Sequence, residues 1–126
     1  KILNYLPGQL KRIYNLLKSN INKNKFAAFI AEVDGSIVGA AQGEIKKAYF
    51  TYKPALIGHC GTIFVEKQYR NRGVATALFK TILKWFKSKK VNVLSLYTHR
   101  KNKDAINFWK NIGFKETMVL MSKTLK

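Results

Sequence analysis

Apolar and polar positions recur along the chain in patterns that predict helices and strands in a definite order. Apolar residues at helical spacing predict an amphipathic helix over 10–21, after Pro7 and Gly8. Three strands are predicted over 26–33, 36–50 and 57–65. Asp34 and Gly35 tolerate positive φ and predict a tight hairpin turn between the first two strands, whereas Pro54 ends the second pairing segment. The first half of the sheet is therefore expected to be antiparallel.

Two more helices separate the remaining strands. An apolar stripe from Val74 to Phe86 predicts a second helix, 91–97 a buried strand, and 105–112 a third helix that ends at Gly113, before a last strand over 115–125. The strand-helix-strand unit over 57–97 predicts a right-handed parallel crossover. The predicted fold class is α/β (α+β), with a mixed, mostly antiparallel sheet around a central parallel β-α-β crossover, flanked by helices.

Size and composition favour one globular domain over 1–126, because the chain has 126 residues, is 47% hydrophobic and contains no repeat or flexible linker. No apolar run reaches the roughly 18 residues of a membrane span, and the start lacks the layout of a signal peptide. We therefore expect a soluble, cytoplasmic protein with no membrane partner. Cys60 is the only cysteine, which excludes an internal disulfide and favours a reducing compartment.

Charge is the least ordinary feature of the composition, since 24 Lys and Arg against 6 Asp and Glu give a net charge of +18. Such a field attracts polyanions and allows a nucleic-acid partner. Lysines spread along the whole chain favour instead a general compositional bias, and the same field would attract the phosphates of a nucleotide. Charge alone does not decide between these readings.

The step from the third strand to the second helix predicts an anion site. Backbone N–H groups and the positive end of the helix dipole converge there, and Gly73 allows close approach to the backbone. Arg70 and Arg72 add guanidinium groups that can bind phosphate oxygens. The spacing of glycines is neither that of a Walker loop nor that of a dinucleotide fingerprint. The turn comprises these residues: Arg70, Asn71, Arg72, Gly73, Val74, Ala75 and Thr76.

Two motifs in this part of the chain resemble those of the GNAT superfamily of N-acetyltransferases. Arg70-x-x-Gly73-x-Ala75 resembles the acetyl-CoA-binding motif Q/R-x-x-G-x-G/A. Downstream, the run from Asn102 to Phe114 resembles the signature N-x-x-A-x-x-F-Y-x-x-x-G-F, with Trp109 at the tyrosine position. The resemblance extends from residue 26 to the C-terminus. Upstream, the family ordinarily has a strand and two helices, whereas the pattern here predicts one helix.

The resemblance implies acetyl-CoA as co-substrate and direct attack by a primary amine in a ternary complex. It places the pantetheine arm between the strands 57–65 and 91–97, against the backbone of Ile63, Phe64 and Val65, with the Val65 N–H polarising the thioester carbonyl. It also assigns cofactor contacts to the turn 70–76, to Asn102, which can cap its helix as well, and to Phe108. No metal site is predicted.

His59 is the predicted general base, because it lies on the strand where relatives carry a glutamate and titrates near neutral pH. Glu44 on the preceding strand is the rival candidate. Trp109 cannot protonate the departing thiolate, so either Tyr97 or water is assigned that step or the thiolate leaves unprotonated. Cys60 is expected on the opposite sheet face from His59, which disfavours an acetyl-cysteine step.

Two other classes of function stay open from the sequence. One is a degenerate acetyl-CoA-binding module without turnover, and the other is a basic nucleic-acid-binding domain. The acceptor amine, a small molecule or a protein, is not readable from the fold, and a homodimer is neither indicated nor excluded.

Overall fold

The computed structural model describes residues 24–48 and 55–126. The predicted helix over 10–21, the end of the second strand at 50 and Pro54 lie outside these residues. The chain divides into two compact units, Lys1–Leu96 and Tyr97–Lys126. A single domain over 1–126 stays a prediction.

A tight hairpin opens the described part of the first unit. Strands β1 (Phe26–Val33) and β2 (Ser36–Ala48) pair antiparallel. Asp34 and Gly35 connect them with φ values of 49° and 79°. Both values are positive, as a two-residue hairpin turn that follows the sheet twist requires. The predicted hairpin is confirmed.

Strand β3 (Ala55–Val65) adds to β2, also antiparallel, with one irregularity. Gln42 pairs with Thr62, whereas its neighbour Gly43 pairs with Cys60, so Gly61 is an extra residue on β3. This is the arrangement of a β-bulge, which re-aims the side chains that follow it. The bulge was not predicted, and it lies between His59 and the residues proposed to meet the cofactor.

Helix α1 (Val74–Ser88) carries the chain to β4 (Leu94–Ser95), which runs parallel to β3. The strand order β1-β2-β3-β4 confirms the predicted mixed, mostly antiparallel sheet with a parallel crossover. The predicted length of β4, 91–97, is wrong, because only Leu94 and Ser95 pair with β3. The Val91 N–H instead bonds the Phe86 carbonyl at the end of α1, and Val93 is 55% exposed.

The core of the first unit lies between α1 and one face of the sheet. Phe86 and Ile82 of α1 are both 0% exposed. A Cβ at Gly43 would lie 2.8 Å from the Phe86 ring, and a Cβ at Gly58 would lie 2.7 Å from it. The phenylalanine ring therefore occupies space that only glycine leaves open on β2 and β3. Burying such a side chain contributes about 1.5–3 kcal/mol.

The second unit contains helix α2 (Lys103–Ile112). Asn102 caps it, since its Oδ1 accepts the Ala105 N–H at 3.1 Å, and Gly113 ends it with φ 114°. Both caps confirm the prediction. Within the described residues no helix is long and apolar enough to cross a membrane.

The predicted last strand over 115–125 is wrong, because residues 114–126 form no regular element. The unit Tyr97–Lys126 has no second strand to complete a ladder, and a strand needs such a partner for its backbone groups. Five large apolar side chains of this segment are exposed: Met118, Val119, Leu120, Met121 and Leu125.

Candidate functional site

The turn between β3 and α1 is built from two left-handed residues. After β3 a short 3₁₀ helix, Lys67–Tyr69, leads to the turn. Asn71 has φ 62° and Gly73 has φ 81°. Asparagine and glycine adopt this conformation at the lowest cost. The backbone then enters α1 directly at Val74.

The N-terminus of α1 presents backbone donors that its N-cap residue, Gly73, does not cap. The first helical hydrogen bond joins the Ala77 N–H to the Gly73 carbonyl at 3.0 Å, so the N–H groups of Val74, Ala75 and Thr76 precede the helical ladder. The N-cap residue, Gly73, has no side chain to cap the helix, and the first turn has no acidic residue. A Cβ at Gly73 would meet nothing within 4 Å. These features fit a diphosphate, which brings the negative charge and the acceptors that this end of the helix lacks.

The two arginines of the turn contact their own chain. Arg70 donates from Nε to the Val65 carbonyl at 2.8 Å, and its guanidinium lies 5.8 Å from the centre of the Phe64 ring. The Arg72 guanidinium lies 5.5 Å from the centre of the Tyr69 ring. Arg70 therefore braces the turn against the end of β3. Both side chains are exposed at the rim, where charge can still act on a bound anion.

Among the described residues, one edge of β3 has no strand partner beyond His59. The Glu66 N–H bonds the Val38 carbonyl on β2. Because successive residues of a strand direct their backbone groups to alternate sides, Val65 and Ile63 direct theirs away from β2. In the described part of the chain, β4 pairs with β3 only at Gly58 and His59. The N–H groups of Ile63 and Val65 thus line an open edge that leads to the turn, whereas the backbone of Phe64 faces β2.

His59 lies on β3 at the point where β3 and β4 separate. It pairs in register with Glu44 on β2 and with Ser95 on β4. Burial, then the nearby Lys46 ammonium, lower the pKa of His59 below its ordinary 6.5, and Glu44 opposes them. The imidazole is therefore neutral at pH 7, which is the form that can take a proton.

Cys60 lies on the other face of β3, against α1, and is buried. Burial raises the pKa of its thiol to about 11. A thiol in this state is a poor nucleophile at neutral pH. These observations agree with the prediction that no acetyl-cysteine forms.

The other predicted site residues lie in the second unit. Tyr97 is 80% exposed at its start. Phe108 packs edge-on against Trp109 at 4.9 Å, and Trp109 packs in the same manner against Phe114 at 5.3 Å. Trp109 at the tyrosine position thus belongs to an aromatic cluster. The cofactor contacts of Asn102 and Phe108 and the proton transfer by Tyr97 stay predictions.

The residues around His59 that the sequence did not single out are Lys46 and Ser95. Both follow from strand register, which no local pattern fixes, because the β1–β2 ladder shifts register between Ala31 and Glu32 and the β2–β3 ladder shifts between Gln42 and Gly43. A glycine inside a predicted strand, Gly61, was the available sign of a bulge.

Comparisons with known proteins show which proteins this chain is similar to. A family model described as acetyltransferase (GNAT) family matches residues 4–114. The N-alpha-acetyltransferase of Sulfurisphaera tokodaii is 35% identical over 113 residues, which cover 85% of this chain and 67% of the relative. That of Saccharolobus solfataricus is 30% identical over 113 residues with the same coverage. Among solved structures, the aminoglycoside N-acetyltransferase AAC(6')-Iy in complex with CoA matches with a TM-score of 0.80 at 24% identity, covering 94% of this chain and 89% of that one, a likeness of fold.

Proposed function

We propose that this chain, which belongs to the GNAT family of acetyltransferases, acetylates the α-amino group at the N-terminus of a peptide or protein. The chain is an N-acetyltransferase with acetyl-CoA as its co-substrate. The proposal for the acceptor rests on one observation, the 35% identity to an N-alpha-acetyltransferase across 85% of the chain.

The turn between β3 and α1 would hold the diphosphate of the co-substrate. This assignment is supported by the N–H groups of Val74, Ala75 and Thr76, which precede the helical hydrogen-bond ladder at the positive end of α1. The open space at Gly73 admits phosphate oxygens close to the backbone. Asn71 contributes a left-handed residue to the turn, and Arg72 contributes a positive charge at its rim.

Bound acetyl-CoA supplies an acetyl group activated as a thioester. The open edge of β3 would orient this group, with the Ile63 and Val65 N–H groups as donors along the pantetheine arm. A donor aimed at the carbonyl oxygen, which we assign to Val65, stabilises the negative charge that develops there. His59, neutral at pH 7, would take the proton of the attacking amine in a ternary complex. Tyr97 or water would protonate the departing sulfur.

Calorimetric titration of acetyl-CoA tests the co-substrate site, with Gly73→Glu as the variant and Gly35→Glu as the matched control. Both glycines have φ near 80° and nothing within 4 Å of an added Cβ, so the two substitutions bring similar backbone strain and the same charge. We expect Gly73→Glu to weaken binding by roughly 10- to 100-fold or more through repulsion of the phosphates. Gly35→Glu should bind as the unmodified chain does. Equal binding by all three proteins would refute the assigned turn.

An acceptor panel tests the proposed chemistry. Peptides with a free N-terminus are compared with the same peptides blocked at the N-terminus but containing lysine, and with an aminoglycoside. Acetylation of the first group alone, located by mass spectrometry, is the expected result. Preference for the aminoglycoside or for lysine would overturn the proposed acceptor. Acetyl-CoA binding without transfer to any amine would instead indicate a binding module.

A further inference from the structure

Charged and polar side chains line up across three strands at the point where β3 and β4 separate. Glu44 on β2 is the direct partner of His59 on β3, and Ser95 on β4 is the partner of His59 on its other side. Directly paired residues of neighbouring strands lie on the same sheet face, with Cβ atoms about 4.5–5.5 Å apart in an antiparallel pair. The Glu44 carboxylate is therefore within reach of the imidazole.

Lys46 completes the group from the same strand as Glu44. It lies two residues further along β2, so both side chains are on one face. The Lys46 ammonium is 3.6 Å from Oε2 of Glu44, and both side chains are about half-exposed. One carboxylate oxygen is thus engaged by lysine, while the second oxygen of Glu44 can accept a hydrogen bond from a ring N–H.

We propose that Glu44 is a positioning residue for His59, which it orients by accepting one ring N–H, while Lys46 holds the carboxylate in place. The inference rests on the proposed function, in which His59 is the base. Glu44 and His59 were rival candidates for one role in the sequence; their direct pairing gives them complementary ones.

The proposed hydrogen bond to Glu44 determines which ring nitrogen of His59 acts as the base. With one nitrogen donating to Glu44, the other carries the lone pair that takes a proton from the amine. The amine nitrogen bonds the acetyl carbon as the carbon–sulfur bond breaks and its electron pair goes to sulfur. The resulting imidazolium lies beside the Glu44 carboxylate, which stays ionised, and His59 then releases the proton to water.

The charged groups that face His59 from the described residues are Glu44 and Lys46, both on β2; β4 contributes the neutral Ser95, and α1 packs on the other face. Burial and Lys46 lower the pKa of His59, while Glu44 raises it. Removing the carboxylate should therefore lower this pKa further, and removing the ammonium should raise it. Opposite changes would show that both charged groups act on the His59 ring itself.

Proton NMR of the full chain measures this directly, because the sequence has only two histidines, His59 and His99. His59→Asn assigns the resonances, and His99 is the internal reference. Glu44→Gln should move the His59 titration to lower pH and Lys46→Met should move it to higher pH. The matched controls are Glu32→Gln on β1 and Lys84→Met on α1, both exposed, which should leave it unchanged. A titration that neither Glu44→Gln nor Lys46→Met moves would overturn the inference, whatever the activity.

Acetylation rates then separate this inference from the proposed function. We expect Glu44→Gln to lower kcat about tenfold, a part of the contribution of a general base, with acetyl-CoA binding unchanged. In both Glu44→Gln and Lys46→Met, the acid limb of the pH–rate profile should move in the same direction as the His59 titration measured by NMR. If the titration moves as expected but the rate profile does not, His59 is not the base, and the proposed function loses that step while the pairing itself stands.

Discussion

Substitution of Gly58 by alanine should weaken the packing of α1 against the sheet. An added Cβ would lie 2.6 Å from Leu94 Cδ2 and 2.7 Å from two ring atoms of Phe86, closer than real Cβ contacts allow. Phe86 is 0% exposed, so its ring cannot turn outward without opening the core. Overpacking of this kind costs about 1–3 kcal/mol, and we expect the free energy of unfolding to fall by about 2 kcal/mol.

Urea denaturation followed by far-UV circular dichroism measures this loss. Gly61→Ala is the matched control on the same strand, because the three atoms nearest to its Cβ all belong to the flexible Gln42 side chain, with Nε2 at 2.6 Å. The control should change stability by less than about 1 kcal/mol. Adding Phe86→Leu to Gly58→Ala should give a coupling energy of at least ~0.5 kcal/mol, because the two sites share one space. Equal losses for both alanine variants would show that the glycine-lined space is not what seats Phe86.

Three further predictions concern caps and titrating groups. Asn102→Ala should lose about 0.5–2 kcal/mol because the Ala105 N–H loses its acceptor, whereas Asn102→Asp should keep most of the stability in the same urea assay. Cys60, with its pKa raised to about 11, should react with a thiol reagent at pH 8 only slowly until urea unfolds the chain; fast labelling of the folded protein would contradict its burial. The lowered pKa of His59 means that the unfolded chain binds a proton more readily below pH 6.5, so stability should fall there as pH decreases. His59→Asn should decline less over the same range in urea midpoints, and an identical decline would refute the shift.

Local signals in the sequence predicted the turns and caps well. Asp34 and Gly35 both have positive φ, and Asn102 and Gly113 close the two ends of α2. Each of these positions depends on the conformational preference of one residue and its near neighbours. At these positions the tertiary contacts did not change the local conformation that the sequence favours.

Strand length could not be predicted in the same way. Apolar runs indicate burial, whereas a strand also requires hydrogen-bond partners for its backbone. In the run over 91–97, the N–H of Val91 donates to a carbonyl at the end of α1 and not to a neighbouring strand. Residues 115–126 are exposed and form no ladder. Register is equally non-local: the bulge at Gly61 decides which residues of β3 share a face with Glu44, and no spacing in the sequence specifies it.

The order β1-β2-β3-β4 also bears on how the chain folds. Each described strand pairs with the strand next to it in sequence, and α1 packs on strands that precede it. Such short-range topology favours rapid folding, because little chain entropy is lost before the contacts of each strand pair form. The turn between β3 and α1, like the paired residues Glu44 and His59, lies upstream of Tyr97. During synthesis from the N-terminus, these parts of the candidate site can therefore assemble before residues 97–126 have left the ribosome.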